Sequence, residues 1–146
     1  FFKLFKPNFM NTKTIVAGIL AGVAYFFLGW IMYATLLEST FASMQGSATG
    51  VMRADSDMVY WALILGSLGM GFTLAYVFGN WAGISSAAGG IKAGATMGFL
   101  ISLGFDMVGY ATSNIMQLNG AILDIVVYTI NSAIAGAIAG WWLGRS

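Results

Sequence analysis

Four long apolar runs, each bounded by polar or turn-forming residues, constrain this chain more than any other feature: about Thr14 to Leu37, Val59 to Phe78, Ala87 to Ala111 and Ala121 to Leu143. A helix needs about 20 predominantly apolar residues to cross the hydrocarbon core of a bilayer. Backbone polar groups find no water there, so only helices and closed barrels can span it. Transmembrane strands alternate polar and apolar residues over about ten positions, whereas these runs are apolar all round. The expected fold is therefore all-α: a single four-helix transmembrane bundle covering residues 1–146, with a loop at about 38–58. Charge agrees, since only 8% of the residues are charged against about 25% in soluble domains.

The cations set the expected orientation, because short cytoplasmic loops are enriched in lysine and arginine. Lys3, Lys6 and Lys13 precede the first run, Lys92 opens the third, and Arg145 follows the fourth. All five fall on one side, and the opposite side holds only Arg53. Both termini are thus expected in the cytoplasm, with the 38–58 loop outside. In that loop, Ser56 or Asp57 is placed to cap the second helix through its free N–H groups. The segment Phe1 to Phe9 alternates aromatic and basic residues and suits a lipid headgroup boundary. Met10-Asn-Thr-Lys reads as a translation start, so the alternative is that these nine residues are an upstream extension.

The chain has no histidine and no cysteine. That removes the imidazole base, the thiolate nucleophile and the usual zinc, haem and iron–sulfur ligands, so no metal and no cofactor is expected. A net charge of +1 gives no clustered basic surface for nucleic acid.

Apolar side chains are not driven together inside lipid, so helices associate through close backbone approach at small residues and through polar contacts. Candidate packing positions are Gly18 and Gly22 in the first helix, Gly66 in the second, Gly94 and Gly98 in the third, and Gly136 and Gly140 in the fourth. Such faces serve equally to join helices within one chain, to pair copies of it, or to dock another membrane subunit.

Ionisable groups at membrane depth are costly, which makes them functional candidates by default. Asp106 lies near the end of the third run and Asp124 near the start of the fourth, so a short turn places both at similar shallow depth. A helix N-terminus favours an anion and a C-terminus does not, so Asp124 is expected to act partly as a cap and Asp106 to need another partner. Lys92 lies fourteen residues away, roughly 21 Å along the helix, and is out of reach. Arg53, a proton shared with Asp124, or an external ligand remain. Asp124, Tyr128, Asn131 and Ala135 follow at spacings that share one helical face, and Ser102 sits one turn from Asp106. This set is either a hydrogen-bonded seam or a small polar site. Trp30, Tyr33, Trp61, Trp81, Tyr110, Trp141 and Trp142 lie toward helix ends, where aromatic belts form.

Three segments carry a resemblance: Phe27-Leu28-Gly29-Trp30-Ile31-Met32-Tyr33, Leu103-Gly104-Phe105-Asp106 with Tyr110, and Asp124 followed by Ile134-Ala135-Gly136-Ala137-Ile138-Ala139-Gly140-Trp141. With these the chain resembles a family of small bacterial four-helix integral membrane proteins of unknown function, over about Met10 to Gly144. The resemblance implies a bacterial inner-membrane location and the four-helix topology, and brings no activity.

Two functions fit. One is an accessory or structural subunit that packs through its Gly/Ala faces against other membrane subunits or itself. The other is a small proton, cation or solute permease using Asp106 and Asp124. An enzyme is not expected, because two shallow carboxylates without histidine, cysteine or a basic pocket make a poor catalytic set.

Overall fold

A computed structural model describes residues 10–146; the proposed anchor at Phe1 to Phe9 lies outside the described residues. Helices are the regular elements among them, with one isolated antiparallel bridge, Gln45 to Met116, and no strand among the described residues. The elements are α1 (Thr12–Ile31), α2 (Glu38–Ser43), α3 (Tyr60–Tyr76), α4 (Ala87–Thr112) and α5 (Leu118–Leu143). Wider π turns extend α1 over Met32–Leu36 and α3 over Val77–Ala82. Four helices are long and apolar enough to cross a membrane: Thr12–Leu36, Tyr60–Ala82, Ala87–Thr112 and Leu118–Leu143.

The sequence boundaries move in three instructive places. Part of the expected loop is helical, because Glu38 opens α2, where the N-terminal dipole favours an anion. Neither Ser56 nor Asp57 caps α3: they sit in a 3₁₀ turn at Asp55–Asp57, and Val59 precedes the helix with no side-chain cap. The last helix starts at Leu118 rather than near Ala121. Asp124 therefore lies six residues beyond the helix start, roughly 9 Å, and the dipole effect fades within the first turn. It is not a cap.

Packing follows residue size. Along α1, Ile15, Ile19, Val23 and Phe27 are exposed, while Thr14, Ala17, Gly18, Ala21, Gly22 and Tyr25 are buried. The interior is built mainly from alanine, glycine and serine around Tyr25, Leu74 and Phe78, and the large aliphatic side chains point outward. Small residues inside let backbones approach, which is what holds helices together in lipid.

The helices stand in the order α3, α1, α5, α4. The bundle is open: α4 is held almost entirely by α5, and α3 by α1. Two glycine seams make the outer pairs. In the α4–α5 seam Gly90 lies against the Gly136 backbone, Gly94 against Ser132 and Gly136, and Gly98 against Ser132; Gly140 meets Ser86 and Gly90. In the α1–α3 seam Gly18 lies against the Phe72 ring and Gly22 against Leu68, while Gly71 meets the backbone of Gly18 and Gly22. Gly66, expected in a seam, has open space where a Cβ would stand; Gly71, five residues on, takes that place. The central α1–α5 contact is tied by the Tyr25 hydroxyl, which donates to Ser132 Oγ at 2.7 Å.

Candidate functional site

The α4–α5 seam continues upward from glycine into acid. On α4 the fourfold spacing Gly90, Gly94, Gly98, Ser102 and Asp106 keeps one face toward α5; on α5 the antiparallel series Gly140, Gly136, Ser132, Tyr128 and Asp124 answers it. Where the small residues end, the helices carry Asp106 and Asp124. Both carboxyls line one cavity and lie close enough to act on each other electrostatically. One oxygen, Asp106 Oδ2, is buried and has no hydrogen-bond partner among the described residues. A buried charge left without a partner is strongly disfavoured, and a pair of carboxylates is worse than one. The pair is suited to holding a shared proton or a cation.

A cavity of about 270 Å³ opens at the pair, lined by Ser102, Asp106, Asp124, Tyr128, Ile101 and Phe105. Ser102 is buried, and its hydroxyl donates to the Gly98 carbonyl at 2.7 Å, so it lines the cavity with its own hydrogen bond already made. Tyr128 lines it with its contacts already made: its ring stacks on Tyr25 with centroids 6.0 Å apart, and its hydroxyl lies 3.1 Å from Met70 Sδ.

A second, larger cavity of about 580 Å³ lies on the other side of Asp124, under the loop between α2 and α3. The loop is docked on the α4–α5 turn by main-chain bonds: Gly46 N donates to the Ile115 carbonyl, Ala48 N to Asn114, and Gln117 N to Met44, each at 2.9 Å. Glycine is required at position 46, because a Cβ there would meet the Asn114 backbone. Tyr33, Phe41, Met52, Ile115, Met116 and Asp124 are among the residues lining this vestibule.

Tyr33 is the residue the sequence misplaced. As an aromatic near a helix end it reads as an interfacial belt residue, but it lies in the π turn of α1 with its hydroxyl beside Asp124. A signal existed: Tyr33 stands eight residues beyond Tyr25, in register with the fourfold series Ala17, Ala21 and Tyr25 that is buried along the inward side of α1. π turns recur at functional sites because the extra residue re-aims the side chains around it. Trp30, Trp61, Trp81 and Trp141 do stay exposed.

Two other expected members stand apart. Asn131 is 3% exposed, its Oδ1 has no partner among the described residues, and it lines neither cavity; Ala135 belongs to the core. The stripe therefore divides after Tyr128. Arg53 is exposed and lines neither cavity, so of the partners open to Asp106 it is Asp124 that shares its cavity and not Arg53. No group of three or more acidic, histidine or cysteine side chains suited to a metal ion occurs among the described residues.

Compared with known protein families, curated proteins and solved structures, the chain matches none.

Proposed function

We propose that this chain is a small membrane permease or cation-binding membrane protein, with Asp106 and Asp124 as the site for a proton or a cation. The observation that carries this reading is the convergence of two carboxyls at membrane depth beside a cavity, with a buried oxygen of Asp106 unpartnered. Intramembrane acids of this kind mark ion and proton pathways. Toward the other end, Tyr128 stacks on Tyr25, whose hydroxyl donates to Ser132. Carriage across the bilayer thus needs those contacts to part while the site empties.

The alternative, an accessory or structural subunit packing through Gly/Ala faces, has fewer surfaces to use. Gly18, Gly22, Gly94, Gly98, Gly136 and Gly140 are engaged within the chain. What favours it is α3, where Gly66 and Gly69 have open space beside them. Such a face suits a second copy or another membrane subunit.

The excess of cations at the end that carries Lys13, Lys92 and Arg145 supports placing that end in the cytoplasm. The vestibule then faces outward. By its resemblance to the small bacterial family, the chain belongs in the inner membrane.

The test is flux. Purified protein in liposomes, under an imposed proton or monovalent-cation gradient, is expected to carry the ion. Asp106→Asn and Asp124→Asn each abolish transport while leaving the elution profile in detergent unchanged. Absence of flux above empty liposomes, or carboxyl variants that transport normally, would remove the reading.

A further inference from the structure

The vestibule has a chemistry different from the carboxyl pair below it. Its volume of about 580 Å³ lies within the range of pockets that enclose small organic molecules, about 300–1,000 Å³. Tyr33 and Phe41 form one wall, their ring centroids 5.2 Å apart and tilted by 32°. Met52, Ile115 and Met116 add flexible apolar surface, and Asp124 is the one acid among the lining residues. No lysine or arginine lines it.

From this we propose that the vestibule binds a lipophilic organic cation, an ammonium or phosphonium carrying apolar groups, with Asp124 as its counter-charge and Tyr33 and Phe41 as its aromatic wall. The inference rests on the reading of Asp124 as a charge-bearing site. An inorganic cation such as calcium takes about six to eight oxygen ligands in place of its hydration shell, and besides Asp124 the only lining side chains that carry oxygen are Tyr33, Gln45 and Thr49, set among thioether and aliphatic groups. An anion would meet a carboxylate with no cation to offset it. A neutral apolar molecule would bury Asp124 uncompensated. An organic cation satisfies all the walls together: its charge meets Asp124, its substituents meet the apolar side chains, and aromatic faces attract it further. The loop bonds at Gly46, Ala48 and Gln117 hold the roof in place before any ligand arrives, which lowers the ordering cost of binding.

Tetraphenylphosphonium and tetraphenylborate share a shape and carry opposite charges, so they test the claim directly. Equilibrium dialysis against protein in lipid nanodiscs, with empty discs subtracted, is expected to show saturable binding of tetraphenylphosphonium at one per chain and none of tetraphenylborate. Asp124→Asn weakens it by about tenfold or more, the effect of removing one desolvated charge partner. Met52→Trp, at a loop position that is 72% exposed and so compatible with folding, fills the vestibule and weakens binding as well. Leu65→Ala on the distant exposed face of α3 changes nothing.

Equal binding of the two ions, or tetraphenylphosphonium binding indifferent to both Asp124→Asn and Met52→Trp, overturns the proposal. If tetraphenylphosphonium does not bind but ion flux still depends on Asp106, the vestibule inference fails and the functional reading stands. If it binds through Asp124 while Asp106→Asn leaves flux intact, the permease reading fails and the vestibule remains.

Discussion

Gly90 and Gly136 cross so closely that a methyl group added to either would land on the carbonyl oxygen of the other. This contact sits in the seam that aligns α4 with α5, and the alignment is what brings Asp106 to Asp124 at its upper end. The site thus depends on residues with no chemistry of their own. Gly136→Leu is expected to destabilise the protein by about 1–3 kcal/mol or more, the usual cost of overpacking. Gly66→Leu, where the space is open, is expected to leave stability unchanged. Thermal melts in mild detergent separate the two, and equal melting temperatures would show that the seam is not the support described.

Tyr25 and Ser132 tie the two halves together through one buried hydrogen bond of 2.7 Å. Interhelical bonds of this kind contribute about 0.6 kcal/mol on average and up to about 1.7. A double-mutant cycle with Tyr25→Phe and Ser132→Ala in equilibrium unfolding is expected to give a coupling energy in that range. Strict additivity would mean that the two hydroxyls do not interact.

Tyr33→Phe removes only the hydroxyl beside Asp124. Hydrogen bonds to charged groups are worth about 1.5–3 kcal/mol, so ion flux or cation affinity is expected to change by about tenfold or more. The melting temperature should stay near that of the parent, since the ring keeps its contact with Phe41. A variant indistinguishable from the parent in flux and affinity would place Tyr33 outside the site.

Asn131 carries a different expectation. Its Oδ1 is buried without a partner, and exchanging a poorly satisfied polar group for an apolar one of similar shape is often neutral or stabilising. Asn131→Leu should therefore keep or raise the melting temperature and leave flux unchanged. A loss of flux in a stable variant would return Asn131 to the conducting site that its spacing from Asp124 first suggested.

The helices were legible because lipid imposes a length and an apolar composition that no other element meets, and the runs needed only small corrections at their ends. The seams were legible too, as small residues four apart, except in α3, where the sequence pointed to Gly66 and the contact is made by Gly71. That choice depends on which face of α3 meets α1. The site was half legible. Asp106 and Asp124 stand out because acids are rare in such a chain, and the short turn between their helices already implied similar depth. Tyr33 was hidden because an aromatic at a helix end has an ordinary explanation, which outweighed its place in the fourfold series that runs through Ala17, Ala21 and Tyr25. The role of Asp124 was misjudged because three more residues of helix precede it than hydropathy indicated, and those residues carry it beyond the reach of the dipole. The vestibule was invisible, since it is made by a loop docking onto a turn through main-chain bonds.

The central claim is that Asp106 and Asp124 act as one unit that holds a proton or a cation between them. Infrared difference spectroscopy of the reconstituted protein, recorded as cation is added and as pH is stepped, reads carboxyl protonation directly. The account predicts a protonated-carboxyl band in the parent that responds to both, is lost in Asp106→Asn, and is lost or shifted in Asp124→Asn. Spectra in which each aspartate titrates on its own, unchanged by removal of the other, would contradict it.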